Sequence, residues 1–235
     1  DLEATDTIHN GVALQIDSEL GRGDVGWGGM GRYSAYVHDI FIGGWNSGGG
    51  SGKINIHNFS KGVYIANKWF PIVQRVRING ENDVSSDLAN IRAAGVHFFS
   101  CYTPYADKVY VQGGWNYGIW MQGNIDQALD LEDFRFTNLF LVRQNKGLFI
   151  DHSFTDPGTI PALGDPGGSI SSVHVNSNHF GMHIKGHRQI VMSNIYGYCP
   201  SEARVNPLLE LLPACILLED VSDITMKSTQ FLEPG

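Results

Sequence analysis

A glycine that opens a short alternating apolar run keeps returning along this chain, and it constrains the fold more than any other feature. The fullest copy is Val109-Tyr-Val-Gln-Gly-Gly-Trp-Asn-Tyr-Gly-Ile-Trp-Met121. Read with period two, Val109, Val111, Ile119 and Met121 face one side while Tyr110 and Trp120 face the other. The stretch therefore predicts two short strands joined by a tight Gly/Asn corner. Ile54–Ile65 and Val173–Ile184 repeat the same grammar, and Phe134-Arg-Phe136 with Gly147-Leu-Phe-Ile150 is a looser copy.

The opening glycines fall at 62, 95, 118, 147 and 181, so the steps are 33, 23, 29 and 34 residues. A variable period above a floor of about two dozen residues is expected of a solenoid carrying loop insertions. A degenerate copy anchors on Ala214, and Gly11 opens an earlier one. Neither a Leu/Asn consensus nor a 3.6-residue apolar stripe is present, which excludes leucine-rich and helical repeats. What remains is an all-β parallel β-helix in which each strand pairs with its equivalent one coil away. The chain reads as one such domain over residues 1–235, a fragment of a longer protein, because neither end carries a recognisable cap.

Composition narrows the partners. A formal net charge of −8 argues against a nucleic-acid surface, which needs clustered Lys and Arg. No apolar run reaches membrane-spanning length, and the acidic start Asp-Leu-Glu-Ala-Thr-Asp lacks a signal-peptide core. Three cysteines without metal-ligand spacing read as reduced thiols and not as a disulfide framework. Glycine-dense residues 18–36 read as a surface loop, since no helix follows to complete a phosphate cradle. The Pro-rich stretch 153–169 is a long loop, and residues 206–212 are a candidate short helix.

Stacked coils place equivalent residues in columns. Two residues after the anchor, the column reads Tyr64, His97, Trp120, Phe149, His183 and Ile216. Two further on it reads Ala66, Phe99, Gln122, Asp151, Lys185 and Leu218. So many aromatics on an outward face fit a groove in which rings stack on sugars. The alternative is a face covered by the long loops or by a sister subunit, in which case the stripe is buried.

The pattern V-x-I-x-N, short corner, G-I-x-I resembles the right-handed β-helix of the pectate-lyase-like superfamily. With its glycine-rich corners and sparse cysteines, the chain is most similar to the body of a bacteriophage tailspike. That resemblance implies a homotrimer in the virion tail that binds and cleaves a bacterial surface polysaccharide, capsule or O-antigen, by glycoside hydrolysis. No cofactor and no metal are expected. Phe149-Ile-Asp-His152 resembles the Ile-Asp-His segment of pectate lyases, but their Arg-x-Pro-x-x-Arg companion is missing, as is the carboxylate set of polygalacturonases. A non-catalytic spike segment and a secreted polysaccharide lyase are the alternatives.

Hydrolysis of a glycoside needs two carboxyl groups, close for retention and farther apart for inversion. Asp151 is the leading catalytic acid, with Glu132, Asp156 or His183 as its partner and Lys185 beside it on the next coil. Neighbouring coils supply the close spacing, and alternate coils or a loop-to-strand pair supply the wide one. Tyr64, His97, Trp120, Phe149 and Arg188 are the expected sugar contacts. Asp107, Asp133 and Glu132 read as solvated corner charges, and Asp151 with Lys185 also reads as a plain ladder ion pair. His174, His179, His183 and His187 are spread by strand alternation over different faces, so they do not converge as metal ligands.

Overall fold

The computed structural model describes residues 11–17, 34–42, 59–79, 94–113, 115–123, 133–152, 167–177, 179–198 and 214–232. All its regular elements are strands: β1 (Gly11–Asp17), β2 (Tyr36–Ile42), β3 (Phe59–Ala66), β4 (Ile72–Asn79), β5 (Ala94–Phe99), β6 (Tyr105–Gln112), β7 (Tyr117–Gln122), β8 (Phe134–Val142), β9 (Lys146–Asp151), β10 (Gly168–Asn176), β11 (Phe180–Lys185), β12 (Arg188–Tyr198), β13 (Ala214–Glu219) and β14 (Ser222–Leu232). Odd-numbered strands form one seven-stranded parallel sheet, sheet A, and even-numbered strands form a second, sheet B. Because each strand pairs with the next one of its own parity, the chain winds as a parallel β-solenoid. Among the described residues no helix is long and apolar enough to cross a membrane.

The recurring glycines set the register. Lys61 pairs with Ala94, Ala94 with Tyr117, Tyr117 with Lys146, and Lys146 with Phe180, which stacks Gly62, Gly95, Gly118, Gly147 and Gly181 in one column. The reason is space. A Cβ on Gly118 would lie 2.5 Å from Gly147 O, and one on Gly147 would lie 2.6 Å from Gly181 O. The two end copies slip from the expected anchors. Phe180 pairs with Ala214, so Cys215 occupies the glycine column, and Leu14 pairs with Val63, so Ala13 does.

Between the sheets lies a continuous core. Val109, Val111, Ile119 and Met121 are all buried in it, as their alternation requires, together with Phe98, Phe136, Leu148 and Ile150. Two long apolar rows meet there without polar interruption, the arrangement expected where parallel strands bury one face.

Sheet B carries a feature with no repeated residue type behind it. Asp39, Arg75, Lys108, Asn138, Ser172, Asn194 and Ser228 all have φ between 53° and 56°. They occupy one column, because the residues on either side of each pair in register, as with Gln74–Asp107 and Val76–Val109. Each left-handed residue breaks the two-residue alternation, so Val73 and Val76 both point inward although three positions apart. Every sheet B strand thus bends at the same place.

Cys215 is disulfide-bonded, so the reading of three reduced thiols does not hold. Cys101 is a buried thiol whose Sγ donates to Ile65 O at 3.4 Å. The candidate short helix over 206–212 lies outside the described residues, as does the expected loop 153–169 up to residue 166, while its last two residues, Gly168 and Ser169, open β10.

Candidate functional site

The outer face of sheet A gathers the predicted residues in the predicted columns, except at the last coil. The slip at Cys215 puts Leu217, not Ile216, beside His183, and Glu219, not Leu218, beside Lys185. The outer row therefore runs Phe99, Gln122, Asp151, Lys185, Glu219 along consecutive strands. All five are partly exposed.

The inner aromatic column is different. His97, Trp120, Phe149 and His183 are 3%, 6%, 7% and 4% exposed, and Tyr64 at the end is half-buried. Trp120 and Phe149 form a second small core with Ala94 and Tyr117. Their geometry explains what they contribute. His97 stacks on Trp120 at 4.2 Å and 4°, Trp120 on Phe149 at 6.3 Å and 19°, and Phe149 on His183 at 4.7 Å and 30°. Rings stacked along the solenoid spend their faces on one another, so sugars meet at most their edges. Tyr64 has Lys61 Nζ 4.2 Å over its ring.

A connected polar group sits beside this ladder. Lys146 Nζ lies 2.9 Å from His183 Nδ1, and His183 Nε2 lies 3.0 Å from Glu219 Oε2. Lys185 Nζ is 3.8 Å from the same Glu219 oxygen. Lys146 Nζ also stands 4.0 Å over Phe149, with the Tyr117 and Phe180 rings each at 5.7 Å. Burial in this aromatic box pushes the Lys146 amine down to about 8, against the opposing pull of Asp151 and Glu219. Burial and the nearby Lys146 charge push His183 below its ordinary value, while Glu219 acts to raise it. Burial, helped by the Asp151 charge, raises the Tyr117 phenol to about 12.

Asp151, Lys185 and His183 are thus brought together, and sequence reasoning missed Lys146 and Glu219. Lys146 precedes its glycine anchor, outside the columns that alternation defines, and the one-residue slip at Cys215 hides Glu219 behind Leu218. Glu132 and Asp156 lie outside the described residues. Arg188 opens β12 beyond the corner, on sheet B, with its backbone N–H donating to His187 Nδ1 at 3.0 Å.

Asp107 is not a solvated corner charge. It sits within β6, buried, accepting from Asn138 Nδ2 at 2.8 Å and Gln74 Nε2 at 3.0 Å. Burial alone would raise its pKa, but those two donors hold it below the ordinary value. His174 lies on the outer face of sheet B, stacked on Phe140 at 4.4 Å, while His179 and His187 occupy corners. Among the described residues no three or more His, Cys, Asp or Glu converge on a common point.

No family model, no curated protein and no solved structure matches this chain.

Proposed function

We propose that the chain is the body of a bacteriophage tailspike that binds a bacterial surface polysaccharide, capsule or O-antigen, along the outer row of sheet A and hydrolyses it. One observation carries the reading: Asp151 and Glu219 stand in the same partly exposed row on either side of Lys185. Two strand spacings separate their backbones by about 9.5 Å. Carboxyl groups about 6.5 to 9.5 Å apart leave room for a water on the far side of the sugar, and a backbone spacing at the top of that range is compatible with inversion. Gln122 and Lys185 supply hydroxyl-binding groups between and beside them. The sequence resemblance supports the tailspike assignment, the virion location and a homotrimer, whose mass in solution is a direct check.

The burial of Trp120 and Phe149 favours one competing reading, a spike segment that recognises or merely supports without cleaving. Incubation with a panel of purified capsule and O-antigen polysaccharides separates the two. Hydrolysis releases new reducing ends of inverted anomeric configuration, and Asp151→Asn and Glu219→Gln each lower the rate by about 10²–10⁴ with binding retained. Binding without new reducing ends supports the non-catalytic segment, and products with an unsaturated sugar support a lyase.

A further inference from the structure

We propose that Lys146 and His183 form a positioning relay that fixes Glu219 as the proton acceptor of the site, which makes Glu219 the base and Asp151 the acid. The assignment of base and acid rests on the hydrolytic reading above. The relay rests on hydrogen-bond polarity alone. A lysine ammonium only donates, so at 2.9 Å His183 Nδ1 must accept from Lys146 Nζ. The imidazole proton then sits on Nε2, which donates to Glu219 Oε2 at 3.0 Å. A doubly protonated ring would aim an N–H at the ammonium. With Lys185 Nζ 3.8 Å from the same oxygen, a proton placed on Oε2 would find donors and no acceptor.

The charged or titratable groups around Lys146 come from every neighbouring strand: Tyr117 on β7, Asp151 on its own strand, His183 and Lys185 on β11, and Glu219 on β13. Among the described residues, the Nζ hydrogen bond that sets the tautomer goes to His183 Nδ1. In the reaction, water oxygen bonds to the anomeric carbon and gives its proton to Glu219. The glycosidic C–O bond breaks, and its oxygen takes the proton of Asp151, which enters the step as the neutral acid and leaves it as a carboxylate. Lys146 and His183 exchange no proton with substrate; they aim the carboxylate.

Side-chain ¹⁵N NMR of histidine in the whole chain tests this. The expected result is His183 as the Nε2–H tautomer below pH 8, loosening as Lys146 loses its charge near that pH. Lys146→Met should give a tautomer mixture at all pH values, while Lys146→Arg, which keeps a donor, should preserve Nε2–H. Strand amide dispersion in the same samples reports whether each variant folds. Where cleavage is measured, Lys146→Met lowers kcat at least about tenfold and removes the alkaline limb near pH 8, as loss of a tautomer-fixing partner does. An Nδ1–H tautomer in the unmodified protein, or one indifferent to Lys146→Met in a folded variant, overturns the relay. If the tautomer behaves as expected but no polysaccharide is cut, the relay stands and the hydrolytic reading falls.

Discussion

At the scale of single residues, the glycine column shows how a missing side chain can define a fold. None of its five members has a positive φ, so backbone freedom is not what selects glycine there. Each is pressed against the carbonyl oxygen one coil away, and that oxygen is tied into the sheet. A methyl group on Gly147 would meet Gly181 O at 2.6 Å and Ser177 Oγ at 2.7 Å. Gly147→Ala is therefore expected to destabilise by about 1–3 kcal/mol, the usual cost of overpacking a well-filled interior, read as a lower urea midpoint. A midpoint unchanged from the parent would mean the coils can part at no cost. The same column decided how much could be read from sequence. Where glycine is present, the partners of Tyr64, His97, Trp120, Phe149 and His183 were legible to the residue. Where Cys215 stands in its place, the anchor was misjudged by one, and the misjudgement hid Glu219 behind Leu218.

At the scale of elements, the two sheets were legible to different degrees. Sheet A strands announce themselves by glycine and alternation. The bend in every sheet B strand does not, because Asp, Arg, Lys, Asn and Ser share the left-handed column and only neighbouring coils enforce it. Lys108, at φ 54°, is the clearest misfit, since a lysine gains nothing locally from that conformation. Asn tolerates it and already fills the column at 138 and 194. Lys108→Asn should raise the melting temperature by a gain of up to about 1 kcal/mol, and Lys108→Val should cost about 1–2 kcal/mol, since a branched Cβ is worst placed there. Equal effects of the two would contradict the bend. The aromatic ladder of sheet A is an element in the same sense. Its number of aromatics was visible, but whether they meet solvent was not, because cover comes from outside the column. With Trp120 buried and stacked on His97, Trp120→Ala should cost about 3–5 kcal/mol. A stable variant that has lost only sugar binding would restore the open-groove reading.

At the scale of the whole molecule, stability should depend on pH in a direction fixed by buried bases. Burial pushes His152 down to about 4, further lowered by nearby His187, although Gly186 O accepts from its Nδ1 at 3.2 Å. His174 and His183 are lowered too, burial being the main cause in each. A base whose folded pKa lies below its unfolded value is charged first in the unfolded chain. As pH falls from about 6.5 to about 4, the unfolded state gains protons that the folded state refuses, and stability is lost throughout that window. For His152 the difference of 6.5 − 4 corresponds to at most about 3 kcal/mol at 1.36 kcal/mol per unit. Lys146 works with the same sign on the alkaline side, so stability climbs again between about 8 and 10.5. Asp107, whose pKa is lowered, has the opposite arithmetic: it stabilises above its ordinary carboxyl value and adds a further loss only as pH drops below that. The expected curve of urea midpoint against pH is therefore flat from 6.5 to 8, falling below and rising from 8 to about 10, where the raised Tyr117 phenol begins to act with the opposite sign. His152→Asn keeps a side-chain N–H for Gly186 O but cannot take up a proton, so it should flatten the acid slope by the largest single share. A parent protein whose midpoint is the same at pH 4.5 and 7, or a His152→Asn variant with the parent's full acid slope, would show that these rings meet water far more than their packing on the corner allows.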